Sequence, residues 1–405
     1  MRRSMATDLI PLPARTLRLG MTLPYDLYDA GGHLLFARGQ QLLDSPQVRS
    51  LIDGGAWVNS EDTMAYQRAR AHRLDTLVLQ DVPLADIAKA DASFRLDATS
   101  PAKVAQGPRE AWSDLLLHMH HLLREDEPGD FRARVAQIRD AALKRLHAQP
   151  DATLMLLVFE SSQEFGDYSA RHALLTLLLC DLLAQQLQLP APLREALQGA
   201  ALTMNLGASA AHDRLASQVA PATPAQRQAL SAHGEHAAQR LARFGINDPV
   251  WLTAVRLHHD AGPGPLAGRE DGERLARLLR RIDMFGARLS PRRSRHAMSG
   301  AAAARAVFLD EQGKPDEAGA ALIKAVGLYP PGSIVRLANG EVGLVFKRGF
   351  SANEPQVAAL IGKSGTPLSS PVPRDTRLAT QAIAASLAPA ELRLRVNLEA
   401  LLKLY

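Results

Sequence analysis

The sequence predicts a mainly α fold: a helical bundle with small β-rich modules on its N-terminal and C-terminal sides. Three observations carry this. Ala and Leu are abundant while aromatic residues make up only 5% of the chain, a composition that favours helices. Apolar residues recur at helical spacing from about residue 152 to 300, with start and stop signals at their ends. Short apolar-alternating runs bounded by turn residues lie on either side.

Taken in order, residues 1–60 form the first β-rich module, in which LRLGMTLPYDLYDAGGHLLFARG sets two strands around a turn at Ala30-Gly31-Gly32. Residues 61–150 are a linker and a helical segment. The stretch 85–107 is rich in Ala, Asp and Ser and poorly periodic, and two amphipathic helices follow, broken at Glu127-Pro128-Gly129-Asp130. Residues 151–300 are the helical domain proper. Thr223-Pro224-Ala225-Gln226 opens one helix with a capping Thr, a first-turn Pro and a capping-box Gln. Gly245 closes it, and Asp248-Pro249 opens the next in the same way. Residues 301–405 hold a helical pair and then an accessory β module, introduced by a hairpin around Asn339-Gly340.

Composition narrows the function. A chain of 405 residues with 46% hydrophobic residues is long enough for two or three domains with a sizeable core. The net charge of +5 is modest, and its arginines are scattered without interleaved aromatics, so a nucleic-acid polymer is not an expected partner. The single cysteine, Cys180, permits no disulfide framework within one chain, which fits a reducing compartment. MRRSMATDL has no apolar core and is not a signal peptide. The longest apolar stretch, HALLTLLLCDLLAQQLQL, is interrupted by Asp181 and glutamines, so no membrane span is expected. Together these predict a cytoplasmic protein.

Chemistry is sought where polar residues occupy positions that should be apolar. Tyr168, His172, Leu175 and Leu179 share one helical face, so His172 points inward. Leu230, His233, Ala237 and Leu241 do the same for His233. His259 shares a face with Leu252 and Val255, and His258 one with Trp251 and Ala254. Asp283 sits at the edge of the stripe Leu275, Leu278, Leu279 and Ile282. A buried carboxylate without a partner costs several kcal/mol, so Asp283 should be paired or ligating. Taken alone, each inward His reads as a hydrogen-bonded core residue, and Asp283 could pair with Arg281. Taken together, the five suggest a shared polar centre, because imidazole plus carboxylate is the usual ligand set for Zn, Mn, Fe or Ni. Spacing by itself leaves both readings open.

From Tyr168 to Arg295 these residues resemble an HD-GYP domain, the cyclic di-GMP phosphodiesterases of the HD phosphohydrolase superfamily. His172 matches the first metal-binding His, and His233, in LSAHGEH, the His of the middle helix. His258-His259 match the double His before the GYP motif, and Asp283, in RIDMFGARLSPRRSR, the late aspartate ligand. The resemblance implies an HD-type helical bundle, with His172, His233, His258, His259 and Asp283 as metal ligands.

The chain departs from that pattern where the family carries its name-giving pair. In ALTMNLGA, Met204 stands for the His, Asn205 for the Asp and Ala208 for a phosphate-meeting Lys. Met204 shares the face of Leu193, Ala196, Leu197 and Ala200 and reads as core. The GYP element is reduced to Gly262-Pro263-Gly264-Pro265 without a Tyr, and Tyr168 stands where some members carry a Glu ligand. By the resemblance, one metal position keeps only His172 and Asp283, while the other keeps His233, His258 and His259. A literal His212-Asp213 pair lies eight residues past Met204-Asn205, about 12 Å along a continuous helix; it follows the helix end near Gly207 and is set aside as a ligand pair. His118, His120 and His121 lie on another helix, with a solvated or interhelical role.

Three functions follow. The first is an HD-GYP-like signalling protein of weak or no phosphodiesterase activity, whose partners are diguanylate-cyclase-type proteins or cyclic di-GMP. The second is an active metal-dependent phosphohydrolase with an altered, mononuclear three-His centre. The third is an adaptor that binds through its terminal β modules. The cofactor expected is one divalent transition metal (Fe, Mn, Zn or Ni) or none.

Overall fold

The computed structural model describes most of residues 9–59 and, apart from 128, 164 and 165, all of residues 108–405. The linker expected at 85–107, like the rest of 60–107, lies outside the described residues. The chain divides into two compact units, Met1–Asp114 and Leu115–Tyr405.

In the first unit four short strands, β1 (Leu9–Leu12), β2 (Leu27–Tyr28), β3 (Leu34–Phe36) and β4 (Ala56–Asn59), form an antiparallel sheet of order β1-β4-β2-β3. Asp29 shapes the turn between β2 and β3 by accepting the backbone N–H of Gly31 and of His33. Leu23, Leu27, Leu42 and Val58 lie at the centre of a small apolar core.

The helices are α1 (Pro108–Leu122), within which the unit boundary falls, α2 (Phe131–Ala148), α3 (Pro150–Gln163), α4 (Tyr168–Gln186), α5 (Ala191–Thr203), α6 (Ser209–Ser217), α7 (Pro224–Ser231), α8 (His233–Arg243), α9 (Pro249–Leu257), α10 (Asp271–Leu289), α11 (Gly300–Phe308), α12 (Glu317–Val326) and α13 (Leu398–Leu402). In the second unit α4 is buried on every side from Tyr168 to Ala184. A helix apolar around most of its circumference belongs in the middle of a bundle, and α5, α6, α10 and α12 pack against α4. Thr223 closes the expected capping box with Gln226, and Asp248 accepts the N–H groups of Val250 and Trp251. No helix among the described residues is long and apolar enough to cross a membrane.

One helix differs from its expected span. The run from Pro224 to Gly245 is two helices, α7 and α8, broken at Ala232. At the break the His233 imidazole engages the carbonyl of Leu230, a backbone acceptor that a continuous helix would use internally.

Beyond α12, strands β5 (Ile334–Leu337), β6 (Val342–Lys347), β7 (Gln356–Ile361), β8 (Pro367–Asp375) and β9 (Ile383–Leu387) form an antiparallel sheet of order β8-β7-β6-β5-β9. The hairpin turns at Asn339-Gly340 as its sequence requires, with Ile334 opposite Leu344.

Candidate metal centre

Helix α4 carries His172 and α10 carries Asp283. Their contact is direct: His172 Nε2 lies 2.8 Å from Asp283 Oδ1, and His172 is 2% exposed. Burial works against a charge on Asp283, yet the bond to His172 and the nearby His258 and His259 hold its carboxyl well below the usual range. Arg281 does not pair with it. That guanidinium turns instead to Glu311, Asp316 and the Leu309 carbonyl. Tyr168, one turn before His172, stacks on the imidazole at 5.5 Å, and the Arg292 guanidinium lies 5.4 Å from the Tyr168 ring.

The other three histidines meet where α8 crosses the end of α9. Gly234 permits the approach, because a Cβ there would lie 2.8 Å from the Arg256 carbonyl. His233 is the first residue of α8, and His258 caps α9. Their ring geometry fixes their tautomers. His233 Nδ1 is 2.5 Å from the Leu230 carbonyl and His258 Nδ1 is 2.6 Å from the Val255 carbonyl. A carbonyl only accepts, so both Nδ1 atoms carry the hydrogen. In the neutral rings both Nε2 atoms are then lone pairs, and they face each other at 3.2 Å. Two acceptors at that distance repel unless a cation sits between them. Burial and neighbouring histidines push His258 down to about 3, and burial lowers His233, so a proton is a costly choice. Two nitrogens bound to one tetrahedral ion are about 3.3 Å apart, given zinc–nitrogen bonds of about 2.0–2.1 Å. The donor atoms of His233, His258 and His259 all lie within 4.8 Å of one another. These residues fit a transition-metal ion.

Both groups open onto one cavity of about 320 Å³, lined by Tyr168, His172, Asn205, His212, Leu215, Leu230, Ser231, His233, His259, Asp283, Ala287 and Arg292. Met204 does not reach it and is fully buried as core. His212, set aside on sequence grounds, does reach it. Helix α5 ends at Thr203, and a turn over 204–208, with Gly207 at φ +80°, redirects the chain into α6. That left-handed conformation favours glycine. Asn205 and His212 therefore line the same cavity despite their separation in sequence. The helix end near Gly207 is the readable signal, and the direction of α6 beyond it is what the structure adds. His120 pairs with Asp167 instead of entering the cavity. The Gly262–Pro265 loop does not line it either: Arg269 holds the carbonyls of Gly262, Pro263 and Pro265, and Arg277 that of Ala261.

No family model matches the chain. A curated protein named cyclic di-GMP phosphodiesterase PA4108, from Pseudomonas aeruginosa, is 26% identical over 372 residues, spanning 85% of this chain and 84% of that protein. The resemblance to the HD-GYP family holds along most of the chain. A solved structure titled Bd1817, an HDG"Y"P protein from Bdellovibrio bacteriovorus, is 14% identical, with a TM-score of 0.42, over 78% of this chain and 99% of that one. Met204 and Asn205 fall on the turn after α5, where Met204 is core and Asn205 lines the cavity.

Proposed function

We propose that this chain is an HD-GYP-like signalling protein that binds a divalent transition metal through His233, His258 and His259, recognises cyclic di-GMP, and hydrolyses it weakly or not at all. The observation that carries the reading is the pair of Nε2 lone pairs facing each other at 3.2 Å. The nucleotide comes from the likeness to the Pseudomonas aeruginosa phosphodiesterase.

When bound, the metal would act as a Lewis acid on a phosphoryl oxygen and lower the pKa of a bound water. The chain's own residues would do the rest. Arg292 lines the cavity, and its Nε is enclosed without a partner, so its guanidinium is suited to meet a phosphate. His172 holds Asp283 ionised and oriented. Weak turnover follows from what surrounds them. Asp283 is the lone carboxylate among the described residues lining the cavity. Asn205 is neutral where a bridging charge is needed, and Ala208 brings no cation.

A second reading, an active phosphohydrolase with an altered centre, is favoured by the intact His172–Asp283 bond on the same cavity. Purified protein distinguishes them by metal content, cyclic di-GMP titration and metal-dependent hydrolysis. Stoichiometric metal with binding but little turnover supports the proposal. Hydrolysis at an ordinary enzymatic rate, lost in His258→Ala, supports the second reading, and metal-free protein that ignores cyclic di-GMP sinks both.

A further inference from the structure

We infer that Tyr168 is a positioning residue for Arg292: its ring is the platform that aims the guanidinium into the cavity, towards a phosphate of the ligand. This rests on the phosphate contact proposed above for Arg292 and adds the residue that sets its direction.

Three observations carry it. First, the platform is held rigidly. Tyr168 is 4% exposed, and its ring stacks on that of His172 with 7° between the planes. His172 is fixed in turn by Asp283 at Nε2 and by packing on Gly286, where a Cβ would lie 3.1 Å from the imidazole. The backbone beside Tyr168 is tied down too, since Asp213 accepts the Ser169 N–H at 2.8 Å. Second, Arg292 has a fixed backbone and a side chain that leans on Tyr168. Its N–H donates to the Arg295 carbonyl, and its carbonyl accepts the Arg295 N–H. Among the described residues its guanidinium meets no carboxylate and its Nε has no partner. What it does meet is the Tyr168 ring, 5.4 Å from the centroid. Its Nη2 is 3.5 Å from the Tyr168 hydroxyl, at the limit of a hydrogen bond, so the ring does the holding and the hydroxyl little. The guanidiniums on either side are spent elsewhere: Arg295 on the Ala287 and Ser290 carbonyls, Arg288 on that of Met284. Third, a ring is the right kind of support for an arginine that must catch an anion. A cation–π contact consumes no N–H donor. A carboxylate at position 168 would take those donors and cancel the charge. Tyr168 and Arg292 both line the cavity.

The test is a double-mutant cycle on the full chain loaded with Mn²⁺, with cyclic di-GMP affinity and metal content measured for wild type, Tyr168→Leu, Arg292→Met and the two combined. Tyr168→Leu should weaken nucleotide binding roughly 3- to 30-fold, the range of one cation–π contact, at unchanged metal content. It should add nothing further in the Arg292→Met background, because the guanidinium it aims is gone. Tyr168→Phe keeps the ring and should stay within about threefold of wild type, the worth of a marginal hydrogen bond. A loss in Tyr168→Leu that adds fully to that of Arg292→Met overturns the inference, as does a Tyr168→Phe that loses as much as Tyr168→Leu. A second readout needs no ligand. The Arg292 guanidinium resonance, assigned by its absence in Arg292→Met, should carry a ring-current shift that Tyr168→Phe keeps and Tyr168→Leu removes. A resonance that Tyr168→Leu leaves in place overturns the inference. Wild type that ignores cyclic di-GMP removes the nucleotide from the reading above, and this resonance then decides alone whether Tyr168 holds the guanidinium.

Discussion

His233 and His258 present unprotonated Nε2 atoms to each other across 3.2 Å, each ring locked by its own Nδ1–H on a backbone carbonyl. An ion bound between them should therefore act as a stabilising ligand of the folded state. Divalent metal at 100 times its dissociation constant should raise the unfolding free energy by about 2.7 kcal/mol. Thermal denaturation with and without chelator measures this. The increment should shrink in His258→Ala, and an equal increment in that variant would place the metal elsewhere.

The metal-free protein should lose stability as the pH falls from about 6.5 towards 4.5. His258 and His212 are both pushed by burial from 6.5 to about 3, so over this window the unfolded chain binds protons that the native rings refuse. More protons in the unfolded state means stability that rises with pH and falls with acid. Asp283, whose shift begins at 3.8, contributes only at lower pH. Urea midpoints of chelator-treated protein at pH 7, 6, 5 and 4.5 should decline steadily, and less steeply in His258→Gln. A flat profile would mean that these rings are not buried neutral.

Restoring the bridging charge should restore chemistry. Asn205→Asp should raise metal-dependent cyclic di-GMP hydrolysis by about 10- to 100-fold, the span that ligand-orienting groups command at metal sites. Unchanged turnover in a variant that still binds metal would show that the missing Lys and Tyr, and not the carboxylate, limit the reaction.

Arg292→Met should weaken cyclic di-GMP binding roughly 10- to 100-fold, as expected for one charged hydrogen bond of about 1.5–3 kcal/mol, and leave metal content unchanged. Calorimetric titration beside metal analysis separates the two. Equal nucleotide affinity in the variant would remove Arg292 from the phosphate contact.

Stability away from the cavity should depend on Arg277. This residue is fully buried and bonds Asp316, Glu311 and the Ala261 carbonyl. Arg277→Met leaves Asp316 buried beside Arg281 alone and should cost about 3–5 kcal/mol, read from the urea midpoint. A change below about 1 kcal/mol would mean that Arg281 suffices.

Much of this was legible in the sequence because it rests on local rules. The caps at Thr223 and Asp248, the hairpin at Asn339-Gly340 and the inward faces of His172 and His233 follow from periodicity and capping chemistry that neighbouring residues decide among themselves. What escaped was set by tertiary contact. Asp283 chose His172 over Arg281 because Glu311 and Asp316, some 30 residues further on, claim Arg281. The helix break at Ala232 depends on an imidazole turning onto its own backbone. A helix end near Gly207 is legible in the sequence, but the direction the chain takes after it, which brings His212 to the cavity that Asn205 lines, is not.

That turn bears on how such proteins are compared. A column-by-column comparison asks which residue stands at the position of a lost ligand and, finding Met204, scores a deletion. A chain that turns at Gly207 brings a residue from beyond the turn, His212, to the cavity that Asn205 already lines. Such a comparison counts what an aligned column has lost and is blind to what the next turn brings to the same cavity.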